Sequence, residues 1–516
     1  MQSEAIHSGS APDARVRAPK PLFEGAEWDF TTLQHIYDAV EEIALNDLKL
    51  DVYPNQIEII SSEQMLDAYS SHGMPLMYNH WSFGKLFARE EAMYQKGYMG
   101  LAYEIVINSD PCINFLMEEN TVTMQALVMA HAAFGHNHFF KNNYLFRQWT
   151  NAEAILDYLN FAKRYIARCE EEYGLDAVEH IVDSAHALMD QGVFRYARPP
   201  RLSDEAKRER LKRRLDYDQE TFNDLWRTLP AASSDADEEV EGDDEEEFDF
   251  LKDIKLPEEN LLYFIEKKSP VLRPWQREII RIVRNIAQYF YPQKQTKVMN
   301  EGCATFVHHY IMTTLHERGL ITDGSYLEFM HSHSSVIFQP SFDDPRYSGI
   351  NPYALGFAMM SDIKRIATDP SAEDRYWFPE FAGSSDWRGV LKHAWANFRD
   401  ESFILQYLSP RMMRDFRMFA VRDENEEANY EVTAIHDESG YRRVRETLAG
   451  MYDSGQLEPN IQAISADLKG DRTLYLQHRR HRGVPLDQKS ESQVVSHIRR
   501  LWGYDVNLDA VDRPAE

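Results

Sequence analysis

Cysteine is scarce in this chain. Three residues in 516 (Cys112, Cys169 and Cys303) lie far apart, so they offer neither a disulfide framework nor a CxxC metal pair, and they suit a reducing compartment. Positive charge is also short. The 56 Lys and Arg stand against 84 Asp and Glu, a formal charge of −28 that opposes non-specific attraction to nucleic acid and anionic lipid. The local basic run His478-Arg479-Arg480-His481-Arg482 reads as a solvated strand end. Long apolar runs are missing: Met124 to Phe134 is too short to span a bilayer, and the first 25 residues are polar with no apolar targeting core. The expectation is a cytoplasmic protein with no nucleic-acid partner and no membrane insertion. No P-loop, GxGxxG or HExxH occurs, so nucleotide chemistry has no support and a standard zincin motif is absent.

What the chain does have is helical periodicity, and its length predicts two to four units. Trp28–Leu48, Trp81–Gln95, Thr121–Lys141, Ala152–Glu171, Trp275–Tyr291, Lys297–Arg318 and Pro352–Thr368 all carry the pattern. Leu101–Asn108 breaks it with β-branched and aromatic residues and ends at Ser109-Asp110-Pro111, which predicts a strand. Between residues 231 and 250 the chain turns acidic: eleven of the fifteen residues from Asp235 to Asp249 are Asp or Glu. Like charges at that density predict a solvated, disordered insertion. The expected organisation is a disordered segment over 1–24, a mainly α domain over 25–425 holding a short strand element, and a small α+β domain over 430–511. In the last, Glu431–His436, Gly440–Met451, Ile461–Leu468, Thr473–Arg479, Glu491–Trp502 and Val506–Val511 read β-α-β-β-α-β, the ferredoxin-like order.

Polar groups that can bind metal interrupt two otherwise apolar helices. One segment carries His131, His136 and His138 around Gly135; the other carries Asn300, Glu301, Gly302, His308 and His309. Buried imidazole and carboxylate are costly unless paired, hydrogen-bonded or metal-bound. On a regular helix His131 and His136 stand about 140° apart, so shared chelation needs the helix to break or bulge near Gly135, as π-bulges do at functional sites. Glu104 on the expected strand is a candidate acid–base group. His131, His136, Glu301 and His308 are the candidate metal ligands, with zinc the expected ion. A hydrogen-bonded polar network, or a metal-free pocket, accounts for the same residues. Tyr78–Lys85 and His331-Ser332-His333 are two further clusters that fit either a cavity wall or core packing.

The stretch Asn300-Glu301-Gly302-x-Ala304 resembles the segment of gluzincin metallopeptidases that supplies their third zinc ligand, and the order strand, histidine helix, glutamate helix is similar too. A broader resemblance covers roughly residues 25 to 510. The segments YNHWSFGK (78–85), AYEIVINSDP (102–111), GHNHFFKNN (135–143), MNEGCATFVH (299–308), GINPYALGF (349–357) and ESFILQYLSP (401–410) resemble the SpoVR (stage V sporulation protein R) family, in its Gram-negative branch. That resemblance implies a link to spore cortex formation or stress responses, and a PrkA-type serine kinase with an associated protein as partners. Two activities are compatible with it: a metal-dependent hydrolase with a degenerate gluzincin-like site, or a non-catalytic regulatory scaffold.

Overall fold

Short polar side chains open the helices that the periodicity predicts. Asp29 accepts the Thr32 amide at 2.7 Å and starts α1 (Phe30–Glu42). Thr121 accepts the Met124 amide at 3.2 Å and starts α2 (Val122–Met129). Each side-chain oxygen satisfies an amide that the first helical turn leaves without a partner. The computed structural model describes residues 20–70, 77–78, 80, 104–195, 256–341, 344–418, 420–422, 431–433, 438–453, 458–480 and 484–512. The expected helix Trp81–Gln95, the acidic insertion, most of the 1–24 segment and most of the Tyr78–Lys85 cluster lie outside the described residues. The chain forms two units, Met1–Glu179 with Gln288–Leu457, and His180–Ala287 with Glu458–Glu516.

In the first unit three strands make a mixed sheet of order β1-β3-β2: β1 (Asn55–Ile60), β2 (Glu104–Ile107) and β3 (Cys112–Met117). The turn signal at Ser109-Asp110-Pro111 does not end the sheet. It reverses the chain, so that β3 pairs antiparallel with β2 and parallel with β1. Around the sheet lies a helical core built on α2, α4 (Lys297–Glu317) and α6 (Pro352–Thr368). From Val298 to Val307, α4 buries every residue but Glu301, and α2 is buried throughout. A helix apolar on all sides belongs in a core, so each polar group on it needs a partner there.

The end of the chain keeps the expected strand-containing α+β character, but its sheet differs from the ferredoxin-like order. All six expected elements form: β5 (Glu431–Thr433), α8 (Glu438–Gly450), β6 (Ile461–Ala466), β7 (Leu474–Arg480), α9 (Gln488–Trp502) and β8 (Val506–Asp512). β5 pairs with β4 (Ala420–Arg422), and α8 places Leu448 and Ala449 in the first unit's core, on which α7 (Asp400–Tyr407) also packs. β6, β7 and β8 make their own sheet in that order, with β8 parallel to β7. The α9 crossover returns the chain beside β7, where a ferredoxin-like sheet would hold its first strand. In this second unit Trp502 stacks on Phe264 at 5.7 Å and donates to the Arg472 carbonyl.

Candidate metal centre

Between α2 and α3 (Asn137–Asn142), residues Ala130–His136 are π-helical. The Asn137 amide donates to the Ala132 carbonyl, five residues back. Bonding of that reach brings side chains five apart onto one side, which a regular helix would hold apart. The His131 and His136 rings accordingly meet with centroids 4.7 Å apart. Close approach of the next helix locks this arrangement. A Cβ on Gly135 would lie 2.5 Å from Ala304 Cα, so only glycine lets the π-segment and α4 touch there.

Glu104 heads β2 and points its Oε1 at His131 Nε2, 3.2 Å away. On α4, Asn300 Oδ1 accepts from His136 Nδ1 at 2.9 Å, which turns His136 Nε2 toward Glu301. Glu301 Oε2 sits 3.6 Å from that nitrogen. Glu104, His131 and His136 each present one ligand atom, all within 4.8 Å of one another. Glu301 reaches His136 without joining that triple. His308 does not face the cluster; its Nδ1 lies 2.8 Å from His131 Nδ1, on the far side of that ring. Behind it His308 Nε2 meets His333 Nδ1 at 2.9 Å, so His333 is the member of the His331-Ser332-His333 cluster that enters the network. His138 turns away and accepts the Asp51 amide at 3.0 Å, while His309 packs its ring on His333 and Phe357.

Burial governs the charges. It holds the His131 and His308 pKa values well below the usual imidazole range, with neighbouring histidines adding to the effect. Both rings are therefore neutral at pH 7 and can act as ligands or hydrogen-bond partners. The carboxyl of Glu104 is pushed well above the usual carboxylate range, first by burial and then by Glu301. Its Oε2 is buried with no hydrogen-bond partner among the described residues. A buried carboxyl with one unpartnered oxygen beside two imidazoles is satisfied either by a proton on Glu104, donated to His131, or by a bound cation. A two-nitrogen, one-oxygen donor set is one that catalytic zinc and non-haem iron sites share.

Sequence reading picked out these side chains without their arrangement. It missed Asp400, which begins α7 and accepts the Val298 and Met299 amides, each at 2.8 Å, at the head of α4. Burial, with Glu301 adding repulsion, pushes the Asp400 carboxyl up to about 7. Asp400 therefore fixes the turn that carries Asn300 and Glu301. Its position just before the ESFILQYLSP segment was the available signal.

A mainly helical protein with a buried histidine–carboxylate cluster between a strand, a π-helical segment and a core helix is what these elements define. The chain belongs to the SpoVR family: residues 27–457 match the SpoVR like protein family and residues 459–513 the SpoVR-like C-terminal domain. It is 54% identical over 491 residues to the uncharacterized protein YcgB of Escherichia coli (strain K12), covering 95% of this chain and 93% of that one. No solved structure matches. The gluzincin resemblance is not confirmed, and the two histidines pair across a π-helical turn. Among the described residues no helix is long and apolar enough to cross a membrane.

Proposed function

We propose that this chain is a metal-dependent hydrolase in which Glu104, His131 and His136 hold a zinc ion and Glu301 is the general base. The observation that carries the reading is the convergence of three ligand atoms within 4.8 Å, one from a carboxylate whose other oxygen has no partner. A zinc ion at such a centre polarises a carbonyl and makes a nearby water acidic. This exchanges the roles expected from sequence for the two glutamates. Glu301, partly exposed beside His136, would accept the proton of the attacking water and pass it to the leaving nitrogen. Amide hydrolysis in a peptide or cell-wall precursor is the natural substrate chemistry. The sporulation or stress setting and a PrkA-type serine kinase partner are supported by family membership alone, and co-purification with the kinase tests the latter.

The test is elemental analysis of untagged protein with hydrolysis assays on amide substrates. Wild type should carry about one zinc per chain, and Glu301→Gln should keep it while hydrolysis falls by about a hundredfold or more. Wild type free of metal even after incubation with zinc, yet well folded, would sink the reading. Acid should release the ion, because burial and Glu301 raise the affinity of the Glu104 carboxylate for a competing proton. Equilibrium dialysis from pH 8 to 5 should show affinity falling roughly tenfold per pH unit for each proton taken up.

A further inference from the structure

His131 Nδ1, His308 and His333 form a continuous hydrogen-bonded file, with contacts of 2.8 and 2.9 Å. All three residues are buried, and Phe329 and Phe357 pack on His333 at 5.7 and 4.8 Å. A neutral imidazole has one donor and one acceptor, so such a file is directional and its members must all point the same way. If Nε2 of His131 holds an ion, its proton must be on Nδ1. His131 then donates to His308 Nδ1, and His308 must donate from Nε2 to His333 Nδ1. No member needs to change its net charge.

We infer that His308 and His333 are positioning residues that act through His131, fixing the tautomer in which its Nε2 is free to ligate. This rests on the metal-centre reading. It assigns His308, first expected to be a ligand, a role one step behind the ion. Partners behind a metal-bound histidine orient the ring and raise its basicity, and removing one costs about 10–100-fold in affinity.

The experiment uses the full chain with ¹⁵N-labelled histidine, its signals assigned by single replacements, before and after titration with zinc. In the zinc-loaded protein His308 and His333 should both carry the proton on Nε2, with Nδ1 bare. His308→Phe should weaken zinc binding about 10–100-fold. His308→Gln, which can still accept and donate, should recover most of that loss. His309→Phe, which alters a ring packed on His333 but outside the file, should change nothing. A proton on Nδ1 of His308 or His333, or unchanged affinity in His308→Phe, would overturn the inference while leaving the metal centre intact. Wild type that takes up no zinc overturns both.

Discussion

Glu104→Gln should stabilise the metal-free protein and abolish its stabilisation by zinc, two effects of opposite sign from one substitution. Glu104 Oε1 faces a histidine nitrogen at 3.2 Å, its Oε2 has no partner among the described residues, and Glu301 adds like charge. A glutamine keeps the shape, removes the charge and can donate to His131 Nε2, so the apo fold should gain about 1 kcal/mol. The pH dependence follows from the direction of the shift. The folded Glu104 pKa lies above the unfolded one, so between the two values the folded state binds the extra proton. Wild-type apo stability should therefore decline as pH rises from the ordinary carboxylate range through the raised value, and Glu104→Gln should lack that decline. With zinc at about a hundred times its dissociation constant the wild type should gain about 2.7 kcal/mol. The variant, whose affinity falls on the order of a hundredfold or more, should gain almost none. Thermal melts of both proteins with and without zinc check all of this. An apo variant less stable than wild type, or one that zinc stabilises equally, would show that the carboxylate is structural.

The two glutamates also show how far sequence reading reaches. Polar residues inside apolar helices flagged His131, His136, Glu301 and His308, because buried imidazole and carboxylate need a reason to be there. Periodicity assumes a regular helix, however, and places His131 and His136 on different sides; only the π-helical turn brings them together. Likewise spacing along α4 could not show that His308 points to the back of His131 while Glu301 points to His136. Those directions depend on how α4 lies against the π-segment. The strand carrying Glu104 was legible from its β-branched residues. Its partner β3 was not, because the turn before it reads equally well as the end of a strand. At the other end of the chain every element was legible and the sheet was not, since strand order depends on pairings that no local pattern encodes.

The contact that sets the position of α4 yields the second large effect. Gly302 on α4 and Gly356 on α6 pack backbone to backbone. A Cβ on Gly356 would lie 2.2 Å from the Val298 carbonyl oxygen and 2.7 Å from Gly302 Cα, and one on Gly302 would lie 2.5 Å from Gly356 Cα. These obstacles are backbone atoms, so no side-chain rotation relieves them and the helices must separate. Gly356→Ala should therefore cost about 3–5 kcal/mol, against the usual gain for replacing glycine in a helix. In a unit of this size that lowers the melting temperature by on the order of 10 °C. Gly324→Ala is the control. It also lies in a helix, α5 (Asp323–Val336), where the added carbon meets only Thr322 Oγ1 at 3.7 Å, and it should be neutral or slightly stabilising. Separating α4 from α6 also shifts Asn300 and Glu301 relative to His136, so any folded Gly356→Ala protein should bind zinc more weakly although residue 356 does not ligate the ion. Wild-type stability and zinc affinity in Gly356→Ala would mean that the two helices are free to move apart, and that their contact does not hold the metal centre in place.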